Sequence, residues 1–193
     1  MASLIAAARD PSYPAEIVVV VSNQPEAAGL ARAREAGIAA HAVDHRPFRG
    51  DRAAHEARIN ALLTGAGVEI VCLAGYMRLL TPLLVGAWRG RMVNIHPSLL
   101  PAFPGLHTHA RALAAGVKLH GCTVHLVTEV MDEGPILAQA AVPVLAGDTE
   151  DTLAERVLAQ EHVIYPAALG AFASGQTGLP APATEALRNP LSR

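Results

Sequence analysis

The sequence predicts an α/β fold: a doubly wound, mostly parallel sheet of Rossmann-like type, with an antiparallel strand pair near its C-terminal part. Three observations predict it. Apolar, β-rich runs alternate with helical patterns through the first half of the chain. Two strand-like runs, "GCTVHLVT" and "ILAQAAVPV", flank the acidic turn "EVMDEGP". The 193 residues, 51% of them hydrophobic, suffice for one ordinary domain with a core.

Taken in order, "MASLIAAAR" reads as a helix, and Ile17 to Val21 ("IVVVV") as a strand covered on both faces by helices. "NQPEAAGLARAREAG" is a helix with Pro25 near its first turn and Gly37 as its stop. "IAAHAV" is a second strand, and Asp51 to Leu63 a helix with apolar positions three and four apart. "VEIVCLAG" is a third, buried strand. "TPLLVGAW" opens a helix with Thr81 as cap and Pro82 at its first position. "RMVNIHP" is a fourth strand, stopped by Pro97. Ser98 to Thr108 is a long loop with two prolines and a glycine, and a short helix follows through Ala115. After the strand pair comes a long amphipathic helix capped by Thr149 or Asp148. A domain is expected over 1–175 and a loosely held tail over 176–193.

Fifteen Lys and Arg against seventeen Asp and Glu leave a formal charge of -2, so no electrostatic footprint for nucleic acid or an anionic membrane is present. No uncharged apolar stretch nears the roughly 18 residues of a membrane span. Cys72 and Cys122 lie in apolar segments without framework spacing and read as buried free thiols of a reducing cytoplasm. The N-terminus has no basic leader, and a cytoplasmic location is expected.

The densest cluster of reactive side chains is "NIHPSLLPAFPGLHTH". Asn94 and His96, two apart on a strand, share one face at its carboxyl end, where α/β folds bind ligands. An amide donor beside an imidazole can stabilise an oxyanion and pass a proton. A histidine merely bonded to backbone fits the same spacing. Asp132 in the turn "EVMDEGP" reads as an ordinary turn aspartate or as a carboxylate facing an imidazole. The nine histidines lack familiar metal-ligand spacing, so no metal is expected. His107 and His109 read as capping the loop and helix start, and His125 as a strand residue alternating with buried Val124 and Leu126. Ser98 lacks a nucleophile elbow.

The run "NIHPSLLPAFPGLHTHARAL", with "LAGYMRLL" upstream and "HGCTVHLVTEVMDEGPILAQAAVPV" downstream, closely resembles the phosphoribosylglycinamide formyltransferase family of folate-dependent formyltransferases, from about Met1 to Gly175. The resemblance implies formyl transfer from 10-formyltetrahydrofolate, as co-substrate, to the amine of glycinamide ribonucleotide in purine biosynthesis, with no metal and no covalent enzyme intermediate. It implies that Asn94 and His96 stabilise the tetrahedral intermediate, with His96 as proton donor. Asp132 would raise the imidazole pKa and order a relaying water. It further implies folate contacts from Arg52, Met77, Arg78, Leu79, Leu80, Asn94 and the turn Val127 to Asp132, including Glu129. Ribonucleotide contacts would come from Glu161 and Pro97. Leu79 and Leu80 also read as core residues that serve both roles. A monomer or homodimer is expected, with small-molecule partners only.

One departure stands out. Family members open with a strand and a glycine-rich phosphate loop, whereas Met1 aligns just after that loop, so Met1 is expected to be an internal methionine of a longer reading frame. A catalytically impaired folate-binding protein and a formyltetrahydrofolate deformylase are the alternative readings.

Overall fold

The computed structural model describes residues 1–176. Of the expected tail, 177–193 lie outside the described residues. The chain divides into two compact units, Met1–Met92 and Val93–Arg193.

The first unit runs α1 (Ala2–Ala7), β1 (Val19–Ser22), α2 (Ala28–Glu35), β2 (Ala39–Ala42), α3 (Arg52–Gly65), β3 (Val71–Leu73) and α4 (Pro82–Ala87). Strands β1 and β2 pair in parallel, from Val19 opposite Ala39 to Ser22 opposite Ala42. Helix α2 buries Leu30 and Ala33, three apart on one face, and packs on both strands. It starts later than Pro25 suggests. Pro25 instead occupies the second position of a turn that the Ala27 N–H closes on the Gln24 carbonyl, a place for which its fixed φ suits it. The run Ile17 to Val21 is not covered on both faces: β1 is half-buried throughout and Val18 is 40% exposed, because within this unit the helix packed on the pair is α2.

Helix α3 begins where Asp51 predicts, the Asp51 carboxylate accepting the Ala54 N–H at 2.9 Å. Its inner face buries His55, Glu56, Ile59 and Leu63, at spacings of one, three and four. His55 is satisfied by donating Nε2–H to the Val43 carbonyl at 2.8 Å, and the Trp88 indole N–H reaches Asn60 at 2.9 Å.

The second unit takes up β4 (Met92–His96) from Val93 and continues with α5 (Thr108–Ala114), β5 (Leu119–Leu126), β6 (Ile136–Pro143) and α6 (Glu150–Ala173). The expected antiparallel pair is β5 with β6, and β4 adds antiparallel to the other edge of β5. The register places Asn94 opposite His125 and His96 opposite Thr123. All four therefore lie on one face of the ladder. A bulge interrupts the β5–β6 register between Val124 and His125, where Leu137 is the extra residue.

Helix α6 packs against β5 and β6 through an inner face that includes Leu153, Val157, Ile164 and Leu169, and the Tyr165 hydroxyl donates to the Val93 carbonyl at 3.1 Å. Its start is a reciprocal cap in which the Thr149 hydroxyl accepts the Thr152 N–H and the Thr152 hydroxyl accepts the Thr149 N–H. Asp148, the other candidate cap, instead forms a two-pronged ion pair with Arg156 at 2.8 Å and accepts the Leu145 N–H.

The turn from β5 to β6 requires glycine at 134. A Cβ there would stand 1.7 Å from the Leu126 carbonyl oxygen, backbone that cannot move aside. Gly134→Ala should therefore cost about 1–3 kcal/mol of stability in denaturant unfolding. Gly86→Ala, on an open face of α4 with nothing within 4 Å, should be neutral or slightly stabilising.

Candidate active site

Asn94, His96 and Asp132 come together in the second unit. Asp132 stands in the left-handed region at φ 58°, which aspartate tolerates better than most residues, and its side chain is 8% exposed. One carboxylate oxygen accepts the Gly105 N–H at 2.8 Å and lies 3.5 Å from His96 Nδ1. The other lies 3.8 Å from His125 Nε2. A single buried carboxylate thus joins the β5–β6 turn, the loop after β4 and two imidazoles.

The second imidazole belongs to a residue that reads from sequence as a plain strand position. His125 is 2% exposed, and its Nδ1 lies 3.0 Å from the Leu126 carbonyl. A carbonyl can only accept, so Nδ1 carries the proton there. Burial is the main cause holding the His125 pKa below its ordinary value, and with Nδ1 donating, Nε2 of the neutral ring is the acceptor. Asn94 Nδ2, 3.2 Å away, must then be the donor, and this settles which way the Asn94 amide faces. Only strand register, which places His125 opposite Asn94, could have found this contact.

His96 is 6% exposed and donates Nε2–H to the Phe103 carbonyl at 3.1 Å, leaving Nδ1 towards Asp132. His96 thus makes the backbone bond of the plainer reading through one ring nitrogen and faces the Asp132 carboxylate with the other. The loop carrying Phe103 is held by Arg111, whose guanidinium donates to the Pro104 and Leu106 carbonyls and lies 5.7 Å from the Phe103 ring centre. Thr123, on the same face, accepts the Leu100 N–H at 3.0 Å and donates to the Ser98 carbonyl at 2.6 Å. The Ser98 hydroxyl is buried and donates to the Ala102 carbonyl, a structural use of that side chain.

Other expected site residues fall elsewhere. Val127 and Glu129 lie on the turn that carries Asp132, beside exposed Val130 and Met131. Pro97 follows His96 directly and is half-buried. Glu161 is half-buried on α6, where burial raises its carboxyl pKa. Its charge acts on Cys122, whose thiol is pushed up to about 12, first by burial and then by that carboxylate. Strand alternation puts Cys122 on the face of β5 away from His125.

In the first unit, Arg52 Nη1 donates to the Leu79 carbonyl at 3.4 Å. The expected core role of Leu79 does not hold: it is 57% exposed and Met77 is 81% exposed, while Arg78 and Leu80 are half-buried. The segment links β3 to α4, and its residues alternate between exposed and half-buried. His107 sits at the start of α5 with φ 56°, but its side chain makes no cap. Among the described residues no group of three or more His, Cys, Asp or Glu is placed to hold a metal ion.

The model of the Formyl transferase family matches residues 1–169. The phosphoribosylglycinamide formyltransferase of Escherichia coli K12 is 44% identical over 174 residues, 90% of this chain and 82% of that protein. The trifunctional purine biosynthetic protein adenosine-3 of Bos taurus is 48% identical over 177 residues, which cover 92% of this chain but span only 17% of that protein. The crystal structure of phosphoribosylglycinamide formyltransferase from Brucella melitensis superposes with a TM-score of 0.84 at 60% identity, covering 90% of this chain and 89% of that one.

Beside the cluster, His120 is 1% exposed and lies edge-on to His109, ring centres 5.3 Å apart. Neither ring nitrogen has a well-formed hydrogen bond. Burial pushes its pKa down to about 4, His109 adding to the effect and the Pro97 carbonyl opposing it. A histidine with a depressed folded pKa binds fewer protons folded than unfolded. Its contribution is complete above the ordinary value of about 6.5 and is lost as pH falls towards 4. His120→Phe should flatten the fall of unfolding free energy across that window, measured by urea titrations at stepped pH.

Proposed function

We propose that this chain, which belongs to the formyl transferase family, transfers a formyl group from 10-formyltetrahydrofolate to the amine of glycinamide ribonucleotide, a step of purine biosynthesis. The observation that carries the reading is the cluster in which Asp132 faces His96 and His125 while His125 orients Asn94.

In this reaction the amine attacks the formyl carbon, the carbon's bond to the folate nitrogen breaks, and a proton passes from the attacking nitrogen to the leaving one. Negative charge grows on the formyl oxygen in between. Asn94 uses one N–H on His125, and the other N–H of the same fixed amide is the donor for that oxygen. Such a donor needs no reorientation as charge develops, so it favours the transition state over the bound substrate.

His96 gives a proton to the leaving folate nitrogen and regains one from the attacking amine through water, so that the net transfer is from one nitrogen to the other. The Nε2–H that the Phe103 carbonyl accepts is the proton His96 offers. Asp132 faces the other ring nitrogen, Nδ1, at 3.5 Å. The same carboxylate, close to both imidazoles, is placed to hold the water that relays the proton. Arg52, Met77, Arg78, Leu79, Leu80, Val127 and Glu129 are assigned to folate. Exposed apolar Met77 and Leu79 suit contact with a flat heteroaromatic ring. Glu161 and Pro97 are assigned to the ribonucleotide.

The test is turnover of the purified chain with both substrates, following formylated product and free formate separately. Product should form in step with loss of formyl-folate, and formate should stay at background. His96→Ala and Asp132→Ala should each lower kcat by about 100-fold or more while circular dichroism is retained. Formate release without an amine acceptor would identify a deformylase instead, and near-normal turnover of either variant would refute the role assigned to that side chain.

A further inference from the structure

Glu56 is a buried carboxylate for which the chemistry above has no use. It is 1% exposed on the inner face of α3. Its two oxygens accept the Thr81 N–H at 2.9 and 3.0 Å, and one also accepts the Thr81 hydroxyl at 2.5 Å. A carboxyl group is rarely this buried unless hydrogen bonds hold it.

The bond changes how the neighbouring helix begins. Thr81 stands at the cap position of α4, with extended backbone at φ -90° and ψ 162°, yet its side chain does not cap that helix. Its hydroxyl is turned to Glu56 instead. One turn earlier on α3, Arg52 donates to the Leu79 carbonyl, and residues four apart share a helix face. A single face of α3 therefore grips the chain at Leu79 and again at Thr81. The grip fixes backbone while leaving the Leu79 side chain, and that of Met77 just before it, exposed.

We infer that Glu56 is a positioning residue for formyl-folate: by anchoring Thr81 it holds the segment 77–80 in its binding conformation. This rests on the assignment of that segment to folate in the proposed function. Glu56 touches no reacting group, so its loss should weaken folate binding and leave the chemical step alone. Preorganising a loop contributes to affinity because the ordering cost is met before the ligand arrives.

The test measures Kd for 10-formyltetrahydrofolate by equilibrium titration, together with kcat at saturating folate and KM for the ribonucleotide. Glu56→Leu should raise Kd about tenfold or more, about 1.4 kcal/mol. Its kcat and ribonucleotide KM should stay within about twofold, because the cluster that performs the transfer is intact. Glu56→Gln keeps an acceptor for the Thr81 N–H and should restore most of the affinity. Thr81→Val removes only the hydroxyl and should raise Kd about threefold. This variant decides the matter if Glu56→Leu does not fold. Lower thermal stability with unchanged Kd in these variants would make Glu56 purely structural and overturn the inference. Leu79→Asp separates the two layers. If it leaves Kd unchanged, the folate assignment fails and the positioning role falls with it. If it weakens binding while Glu56→Leu and Thr81→Val do not, the positioning role alone is lost.

Discussion

The second unit is organised around one buried carboxylate. Asp132 has lost nearly all its water, and a charge in that position persists only where donors replace the solvent. The Gly105 N–H supplies one directly, and His96 Nδ1 stands 3.5 Å away. These partners come from the loop after β4 and the end of β4, so satisfying the carboxylate also fixes the geometry on which the proposed chemistry depends. Phe103, His107 and Asp132 all have positive φ. Left-handed backbone at residues other than glycine costs on the order of 1–3 kcal/mol each. The Asp132 bond to the Gly105 N–H and the Arg111 bonds to the Pro104 and Leu106 carbonyls hold the loop after β4.

The order of elements was legible because it follows from local chemistry. Asp51 begins α3, Pro82 opens α4 and Thr149 caps α6, each where capping preferences place it. Asn94 and His96 share a face because any strand alternates with a period of two. His125 was not legible. Alternation shows that it faces away from Val124, but only register puts Asn94 opposite it, and register is a property of two strands separated by more than twenty residues. The lone signal was its position shortly before the acidic turn.

Glu56 was hidden for a related reason. A glutamate on an amphipathic helix reads as solvent-facing, and nothing local announces that the β3–α4 link will bring a backbone N–H and a hydroxyl to it. Leu79 erred in the opposite direction, an apolar residue taken for core that the fold leaves exposed. In both cases tertiary context overrode hydropathy. Such departures from local expectation gather at sites that bind or react, where a protein keeps apolar surface exposed and polar groups buried for a purpose.

In the proposed mechanism Asp132 and His96 act as one device in formyl transfer rather than as two separate contributors. A double-mutant cycle on kcat/KM, using His96→Ala, Asp132→Asn and the pair together, tests it most directly. If the carboxylate works through the imidazole it faces at 3.5 Å, the double variant will be no slower than the slower single variant, to within about threefold. Losses that multiply in the double variant would show two independent contributions and contradict the account.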